Sequence, residues 1–351
     1  MEKYMQPDKR MTARQAIGNF VNDGDSFVFA NCLYCMPLAL THEIIRQGKK
    51  NLMVFQQGGI EEIDQLLETG AIDRLVIAYN FRIGGKRVTT PLDRALKEGR
   101  VAIEEMTNHT LLSMMKAGAM GYPFIPVLAG TAVTDVVKRR GFLGDQRFAE
   151  IVDPFSGHPV LVVKGYTPDV AIIHVQRADK LGNAQLWGAM INSKWAALAA
   201  KKVIVSAEKI VDSDVIKSAP HLTIVPAHKV CAVVECPWGA HPSEVAGHYD
   251  YDMLFRVLFF ASNGSPEGFK AWLDEWVYGV ADRQEYIQHY VQQFGKDTLE
   301  TLQAKPFPSV PADYGFSFKP AWDANEYSQQ LDMNMDQYIQ LLQDRGELID
   351  G

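Results

Sequence analysis

The amino-acid sequence predicts an α/β fold in which helices cover both faces of a largely parallel sheet and a helical extension follows the sheet. Short runs of consecutive β-branched and large apolar residues recur along the chain, which is typical of strands buried on both faces. Segments with helical spacing of apolar residues alternate with these runs. From about residue 251 the chain becomes helical and aromatic, so we expect the sheet to end before this point.

The first part of the chain predicts strands that alternate with capped helices. Thr12 is placed to cap a helix over residues 12–22, and Pro37 and Gly48 are placed to begin and end the second helix. Gly70 is placed to end a third helix in the same way. The strands predicted here are 26–31, 51–56, 74–80 and 101–105.

The middle of the chain continues this alternation after a less regular stretch. Asn108 is expected to cap a helix over residues 108–121. Residues 121–150 are rich in glycine, proline and mixed charge, so we expect a loop with short helical turns. A hairpin with a D-P-F-S-G turn is predicted over residues 149–165. The remaining predictions are a strand at 169–175, a helix at 190–200 and strands at 202–208 and 229–235.

Length and composition indicate a compact globular protein. A chain of 351 residues can bury a substantial core as one large domain or two smaller ones. We expect an α/β domain over residues 1–304 and a C-terminal arm and helix over residues 305–351. In this arm, Trp322 and Tyr327 are expected to wrap a neighbouring subunit, because aromatic residues are favoured at interfaces.

Charge and segment composition exclude several classes of partner. The net charge of −7 provides no general attraction to nucleic acid or to anionic lipid. The first residues contain no apolar signal segment, and no segment reaches the roughly 18 uninterrupted apolar residues of a membrane span. Four cysteines in so long a chain do not make a disulfide framework. We therefore expect a cytoplasmic protein that binds neither nucleic acid nor membrane.

Polar residues follow the strand predicted at 169–175, in the stretch H-V-Q-R-A-D-K-L-G-N. In open α/β sheets the ligand crevice lies outside the carboxyl ends of the strands. The residues that could line a site here are His174, Arg177, Asp179, Gly182 and Asn183. The alternative is a structural turn with a pair between the arginine and the aspartate, and the spacing does not separate these two interpretations.

A pair of carboxylates, Glu104 and Glu105, stands at the end of another predicted strand. Carboxylates at such a position can act as a nucleophile or as a base. The alternative is that they are the polar end of a strand before a helix that Asn108 caps.

Two motifs carry residue types that bind metals, and we interpret both as structural. Cys32 and Cys35 have the spacing of a redox or zinc half-site, but Cys231 and Cys236 lack it, which favours buried small hydrophobic side chains. Residues 238–252 hold two histidines and three carboxylates among glycine, proline and serine, which favours a solvated loop over a ligand-facing loop or a metal site. No metal is expected.

Basic residues cluster twice. Arg82, Lys86 and Arg87 lie beside glycines that let backbone N–H groups approach a ligand, so this cluster could hold a phosphate or carboxylate. Its alternative is an exposed turn. We prefer an exposed turn for the second cluster, residues 138–140.

Together, these stretches resemble the A (alpha) subunit of class I coenzyme A transferases, particularly the glutaconate CoA-transferase-like branch. The resemblance covers roughly residues 12–255. It is carried by the segments NLMVF with a following glycine pair, EEMTNHTLLSMMKAGAMGYPFIP, DVAIIHVQRADKLGNAQLWG, AALAAKKVIVSAEKIVD and CPWGAHPS.

The resemblance implies an open α/β/α sandwich and a partner chain, the beta subunit. It also implies a ping-pong reaction between an acyl-CoA and a carboxylic acid, in which a glutamate attacks the thioester and forms a mixed anhydride and then a glutamyl-CoA thioester. Coenzyme A enters as a thioester substrate, and no permanently bound cofactor is expected. The residues expected to bind the acyl-CoA are Asn31, Arg82, Gly84, Gly121, Phe124, Gly130, Thr131, Arg177 and Asn183.

Two departures from the family pattern alter these expectations. The family's nucleophile lies in an E-x-G motif of the beta subunit, and the triplet at Glu68 stands at a predicted helix end that Gly70 closes. We therefore expect the principal nucleophile on another polypeptide. In the alpha-subunit motif G-G-F-x5-G-x-P, side chains replace the glycines at Phe27, Val28 and Cys35, so they would hinder backbone approach to coenzyme A.

Two other functions remain open. Some relatives in the same branch look like ring-opening CoA-ester hydrolases that use a carboxylate of the alpha subunit to activate water, and Glu104 or Glu105 stands in the matching position. The other alternative is a non-catalytic CoA-binding or scaffold subunit, which the missing glycines would allow.

Overall fold

The computed structural model describes residues 7–81, 89–139, 141–144 and 147–305, together with residues 337 and 340. The predicted arm at 305–351 lies almost entirely outside the described residues, so the division at residue 304 stays a prediction. Within the described part of the chain, no helix has both the length and the apolar character needed to cross a bilayer.

Strands and helices alternate through the first 235 residues. The strands are β1 (Ser26–Phe29), β2 (Leu52–Gly59), β3 (Ile72–Asn80), β4 (Ala102–Glu105), β5 (Phe124–Pro126), β6 (Phe148–Val152), β7 (Pro159–Lys164), β8 (Val170–Asp179), β9 (Ala184–Gln185), β10 (Lys202–Val211), β11 (Thr223–Val225) and β12 (Val230–Glu235). The helices among them are α1 (Ala13–Phe20), α2 (Leu38–Arg46), α3 (Glu61–Glu68), α4 (Pro91–Lys97), α5 (Asn108–Ala119), α6 (Asp135–Lys138), α7 (Ser193–Ala199) and α8 (Ser213–Ser218).

Seven parallel strands form the main sheet in the order β12-β10-β8-β1-β2-β3-β4. Strand β9 pairs antiparallel with the far end of β8, and β11 pairs with β9. A second, antiparallel sheet has the order β5-β7-β6. The predicted parallel sheet is therefore confirmed, and β12 and β4 are the two ends of its parallel part.

Both faces of the sheet are buried, as the continuous apolar strands predicted. Because successive side chains of a strand point to opposite faces, β1 contributes to two cores. Phe27 and Phe29 pack with α1, α2 and α3 on one face, with their ring centroids 5.3 Å apart. Val28 packs with α5 and α7 on the other face.

A helical extension follows β12, as the aromatic composition predicted. Its helices are α9 (Met253–Ser262), α10 (Pro266–Leu273), α11 (Arg283–Phe294) and α12 (Lys296–Leu302), with a π-helical turn over Asp274–Tyr278. Phe255, Trp276, Tyr286 and Tyr290 form its core. A buried ion pair between Arg256 and Glu61 attaches the extension to α3.

Three local predictions differ from the structure. Thr107, and not Asn108, caps α5, because its hydroxyl accepts the N–H group of Thr110 at 3.0 Å. The predicted loop at 121–150 also contains β5 and the start of the hairpin strand β6. The strand predicted at 169–175 continues to Asp179, because the neighbouring strand β10 is equally long and pairs with it throughout.

His42 provides a test of how this packing responds to pH. It is buried in α2, and burial holds its pKa well below the ordinary value of 6.5. The unfolded chain therefore takes up a proton near pH 6.5 while the folded chain does not, so stability is lost as the pH falls below that value. We expect His42 to cost the folded state up to about 2 kcal/mol between pH 6.5 and 5.

Urea unfolding of wild type and His42→Gln at pH 7 and pH 5 measures this cost. The variant should lose less stability on acidification than wild type does. The exposed His158, changed to Gln, is the matched control and should leave the pH dependence as it is. An unchanged pH dependence in His42→Gln would contradict the burial of a neutral imidazole.

Candidate active site

The carboxyl ends of β1, β2, β3 and β4 lie side by side along one edge of the main sheet, which we call the carboxyl edge. The strands are parallel and adjacent, with Gly59 of β2 opposite Asn80 of β3 and Ile77 of β3 opposite Glu105 of β4. Ligand crevices of open α/β sheets form outside this edge. We therefore take it, with the loops that follow the strands, as the candidate site.

Glu104 is a structural residue of this edge. Its carboxylate is buried 2.7 Å from Nη1 of Arg147 and accepts the N–H group of Leu143 at 2.8 Å. Arg147 also donates to the carbonyl oxygens of Glu105 and Val136, at 2.9 and 2.7 Å. The pair thus holds the segment that follows α6 against the end of β4.

Glu105 is the more accessible of the two carboxylates. Its side chain is 53% exposed and lies 2.9 Å from Nη1 of Arg139, which is 68% exposed. Such an exposed pair contributes little to stability. Because neighbouring residues of a strand point to opposite sides, Glu104 faces the protein interior while Glu105 can meet a molecule bound at the edge.

A buried polar cluster that the sequence did not reveal lies behind the ends of β1, β2 and β3. The side chain of Glu62 accepts hydrogen bonds from Gln56 Nε2 at 2.8 Å and from the N–H group of Ile60 at 3.2 Å. Burial, with the nearby charge of Glu61, raises the pKa of Glu62 to about 8. At neutral pH this carboxyl is therefore largely protonated.

Cys32 and Tyr79 complete this cluster. Burial raises the pKa of the Cys32 thiol and of the Tyr79 hydroxyl to about 12. The hydrogen bond between the two groups contributes to the raised pKa of Tyr79 and acts in the opposite direction on Cys32. Gly58 lies directly against the ring of Tyr79, where any Cβ atom would collide with the ring. The glycine pair at the end of β2 is the sequence feature that could have indicated this close approach.

The cysteines confirm the structural interpretation of the C-x-x-C motif. Cys32 and Cys35 are free thiols, and both are buried. Cys35 stands where the family has a glycine, and its φ of +52° still lies in the left-handed region that favours glycine. Phe27 and Val28, at the other two glycine positions, fill the two cores.

Residues 180–183 form a structural turn between β8 and β9. The carboxylate of Asp179 accepts the N–H groups of Leu181, Gly182 and Asn183 at 2.9 to 3.0 Å. Arg177 donates to the side chain of Gln185 at 2.7 Å. The turn of the alternative interpretation is therefore present, but Arg177 and Asp179 have separate partners and do not pair with each other.

Other polar groups of the same stretch hold the sheet together. Asn31 bonds to the backbone N–H and carbonyl groups of His174, at 2.7 and 3.2 Å, and so continues the β1–β8 pairing with its side chain. The imidazole of His174 is fully buried, with Nε2 2.8 Å from Glu208 and Nδ1 2.9 Å from Ser206. His174 therefore does not line the carboxyl edge.

The remaining predicted binding residues fall into separate groups. Gly121 and Phe124 follow α5, a helix of 12 residues that starts just after Glu105, so about 18 Å of helix separates them from that carboxylate. Gly130 and Thr131 lie in a 3₁₀ turn that leads back toward the segment held by Arg147. Arg82 and Gly84 lie outside the described residues.

Residues 238–252 are largely buried, so the prediction of a solvated loop is wrong. His241 is fully buried, 3.1 Å from Asp252 and 2.9 Å from the hydroxyl of Tyr286. These contacts join the segment to α11. Among the described residues, no group of three or more histidine, cysteine, aspartate or glutamate side chains is arranged to hold a metal ion.

The different roles of the two carboxylates lead to a stability prediction. Glu104→Gln should lower the free energy of unfolding by about 3 kcal/mol, because it leaves the buried guanidinium of Arg147 without a charged partner. Glu105→Gln, the matched control, should change it by no more than about 0.5 kcal/mol. Urea unfolding of both variants measures the difference, and equal losses would contradict these roles.

Comparison with known proteins agrees with this architecture. The family model of coenzyme A transferase matches residues 10–236. An uncharacterised protein of Archaeoglobus fulgidus is 36% identical over 286 residues, which are 80% of this chain but 62% of that protein's length. The A subunit of 3-oxoadipate CoA-transferase from Pseudomonas knackmussii is 34% identical to this chain over 282 residues. These residues cover 79% of this chain and 96% of the relative.

Another relative, glutaconate CoA-transferase, has a known three-dimensional structure. The A subunit of glutaconate CoA-transferase from Acidaminococcus fermentans is 32% identical over 309 residues, which cover 85% of this chain and 95% of the relative. The crystal structure of glutaconate coenzyme A-transferase from this organism matches with a TM-score of 0.75 and 31% identity, over 85% of this chain and 96% of that chain. The fold predicted from the resemblance is thus confirmed, and the chain belongs to the coenzyme A transferase family.

Proposed function

We propose that this chain is the alpha subunit of a heteromeric CoA-transferase, and that a beta subunit supplies the nucleophilic glutamate. The position of the chain's E-x-G triplet carries this proposal. Glu68 is the last residue of α3, which begins beside the carboxyl edge and runs back toward the start of β3. Its carboxylate pairs with Arg94 at 2.8 Å. This triplet therefore lies away from the candidate site.

The proposed reaction moves coenzyme A between an acyl-CoA and a carboxylic acid. The partner's glutamate attacks the thioester carbonyl, a mixed anhydride forms, and the coenzyme A thiolate leaves. The thiolate then attacks the glutamyl carbonyl, which gives a glutamyl-CoA thioester and releases the donor's carboxylate. The acceptor acid reverses both steps. Each attack places negative charge on a carbonyl oxygen, so hydrogen-bond donors held ready for it contribute about 3 kcal/mol each.

The described residues of the carboxyl edge have two different proposed roles, contact with the substrate and support of the edge. Glu105 and Arg139 are exposed there, so we assign them to contact with the acyl-CoA, together with the turn that holds Gly130 and Thr131. Asn31, Arg177 and Asn183 are engaged by neighbouring groups and would shape the edge rather than bind the substrate directly.

Hydrolysis of a CoA ester is the second candidate, and the exposure of Glu105 favours it. An accessible carboxylate at a strand end can accept a proton from an attacking water molecule. In that case the nucleophile is water, and no acceptor acid is needed. A subunit that only binds coenzyme A is the third candidate.

We also propose that this activity belongs to the cytoplasm. All four cysteines of the chain lie within the described residues, and all are free thiols. Free buried thiols are usual in proteins of a reducing compartment.

Purification of the tagged chain from its host, with mass spectrometry of whatever copurifies in stoichiometric amount, tests the proposed partnership. We expect a second chain with an E-x-G motif. The complex should transfer coenzyme A from an acyl-CoA to a carboxylic acid, and the isolated chain should be inactive. Borohydride reduction of the complex loaded with acyl-CoA should mark the glutamate of the partner, because it reduces the glutamyl thioester.

Glu105→Gln separates the candidates. If Glu105 only contacts the substrate, the variant complex still forms the glutamyl thioester on the partner chain, and its rate of coenzyme A transfer falls only in part. A loss of 100-fold or more, in the range of a missing general base, with activity that needs no acceptor acid, would instead establish hydrolysis. Full transfer by the isolated chain would refute the proposal, and tight binding of coenzyme A without turnover would favour the binding subunit.

A further inference from the structure

A cavity of about 670 Å³ lies at the opposite end of the sheet from β4. It sits at the carboxyl end of β12, on the face of the sheet that α1 and α2 cover, and α11 closes one side. Its volume is in the range of pockets that hold small organic molecules. Much of its wall is apolar, with contributions from Ala13, Ala39, Val234, Pro237, Trp238 and Ile287.

Two helices begin at this cavity. Its lining includes the cap and first residues of α1, at Thr12, and of α11, at Asp282. The N–H groups of the first two residues of each helix precede the first intrahelical hydrogen bond, and they have no acceptor in the part of the chain that the structure describes. Such N–H groups and the helix dipole favour a negative charge.

Two arginines of the lining add positive charge. Arg283 is only 7% exposed, and its Nη2 atom donates to the carbonyl oxygens of Gly239 and His241. Its Nε and Nη1 atoms are buried without a hydrogen-bond partner, and its guanidinium lies over the ring of Tyr286, with Cζ 4.2 Å from the ring centroid. Among the described residues, no carboxylate forms an ion pair with it. Arg14 is exposed at the rim and likewise has no carboxylate partner there. A buried cation without a counter-ion is costly, so an anion would stabilise this region.

The acidic residues of the lining are already engaged. Glu43 pairs with Arg46 at 2.9 Å and accepts a hydrogen bond from Gln47 at 2.8 Å. Asp282 accepts a backbone N–H group of α11 at 3.0 Å, and Glu235 accepts one from β10 at 3.1 Å. Their carboxylates therefore leave the N–H groups of the two helix starts and the side chain of Arg14 available.

We propose that this cavity binds a small carboxylate with an apolar body. The carboxylate would lie between the starts of α1 and α11, and the apolar body would lie against Trp238 and Ile287. This site is separate from the carboxyl edge of β1–β4. The proposal of a carboxylate site therefore does not depend on the proposed transferase activity.

Calorimetric titration of the purified full-length chain with octanoate tests the site. Octanoate should bind, whereas octylamine, which has the same chain length and the opposite charge, should not. Inorganic phosphate should bind more weakly because it lacks the apolar body. If octylamine or phosphate binds as tightly as octanoate, the proposed ligand class is wrong, and if octanoate does not bind, the proposal fails.

Two variants locate the binding. Arg14→Glu changes an exposed side chain at the rim and should weaken octanoate binding about fivefold or more. Ile287→Trp should abolish binding by filling the cavity. Lys97→Glu makes the same charge change on the exposed surface of α4 and should leave the affinity as it is. Octanoate affinity that survives both Arg14→Glu and Ile287→Trp would place the ligand elsewhere and overturn the proposal.

Discussion

The buried carboxylate of Glu208 on β10 is the interaction on which the arrangement of this protein depends. It accepts hydrogen bonds from His174 at 2.8 Å, from the hydroxyl of Tyr249 at 2.6 Å and from the N–H group of Trp238 at 2.8 Å. Burial alone would raise the pKa of Glu208, but these hydrogen bonds outweigh burial and lower it. One anion thus joins β8, β10 and the segment that leads to the C-terminal helices.

This network also determines where the candidate site can lie. Gly239 approaches the ring of His174 so closely that a Cβ atom would lie 2.6 Å from Cε1 of the ring, and the polar end of β8 is enclosed. The side chain of Asn31 accepts the backbone N–H group of His174 and so links this network to the end of β1. Among the described residues of the candidate site, the more accessible polar side chains therefore lie at the ends of β3 and β4, on the other side of the sheet.

Adjacent residues have separate tasks at this edge. Glu104 turns inward and stabilises the segment that Arg147 holds, while Glu105 turns outward beside Arg139. The edge thus presents exposed charged groups on a buried base. Such an edge agrees with the proposed role, in which the nucleophile is on a second chain and this chain supplies shape and charge.

The sequence by itself determined the alternation of strands and helices, the two-sided burial of the sheet and the family. Apolar periodicity and the caps at Thr12 and Gly70 act between near neighbours, so they can be recognised along the chain. Only the tertiary structure decided which polar residues are enclosed. The partners of Glu104 and His174 lie 43 and 34 positions away, and Arg283 reaches carbonyl groups more than 40 positions away. Folding brings such groups together, and no local pattern records their distances.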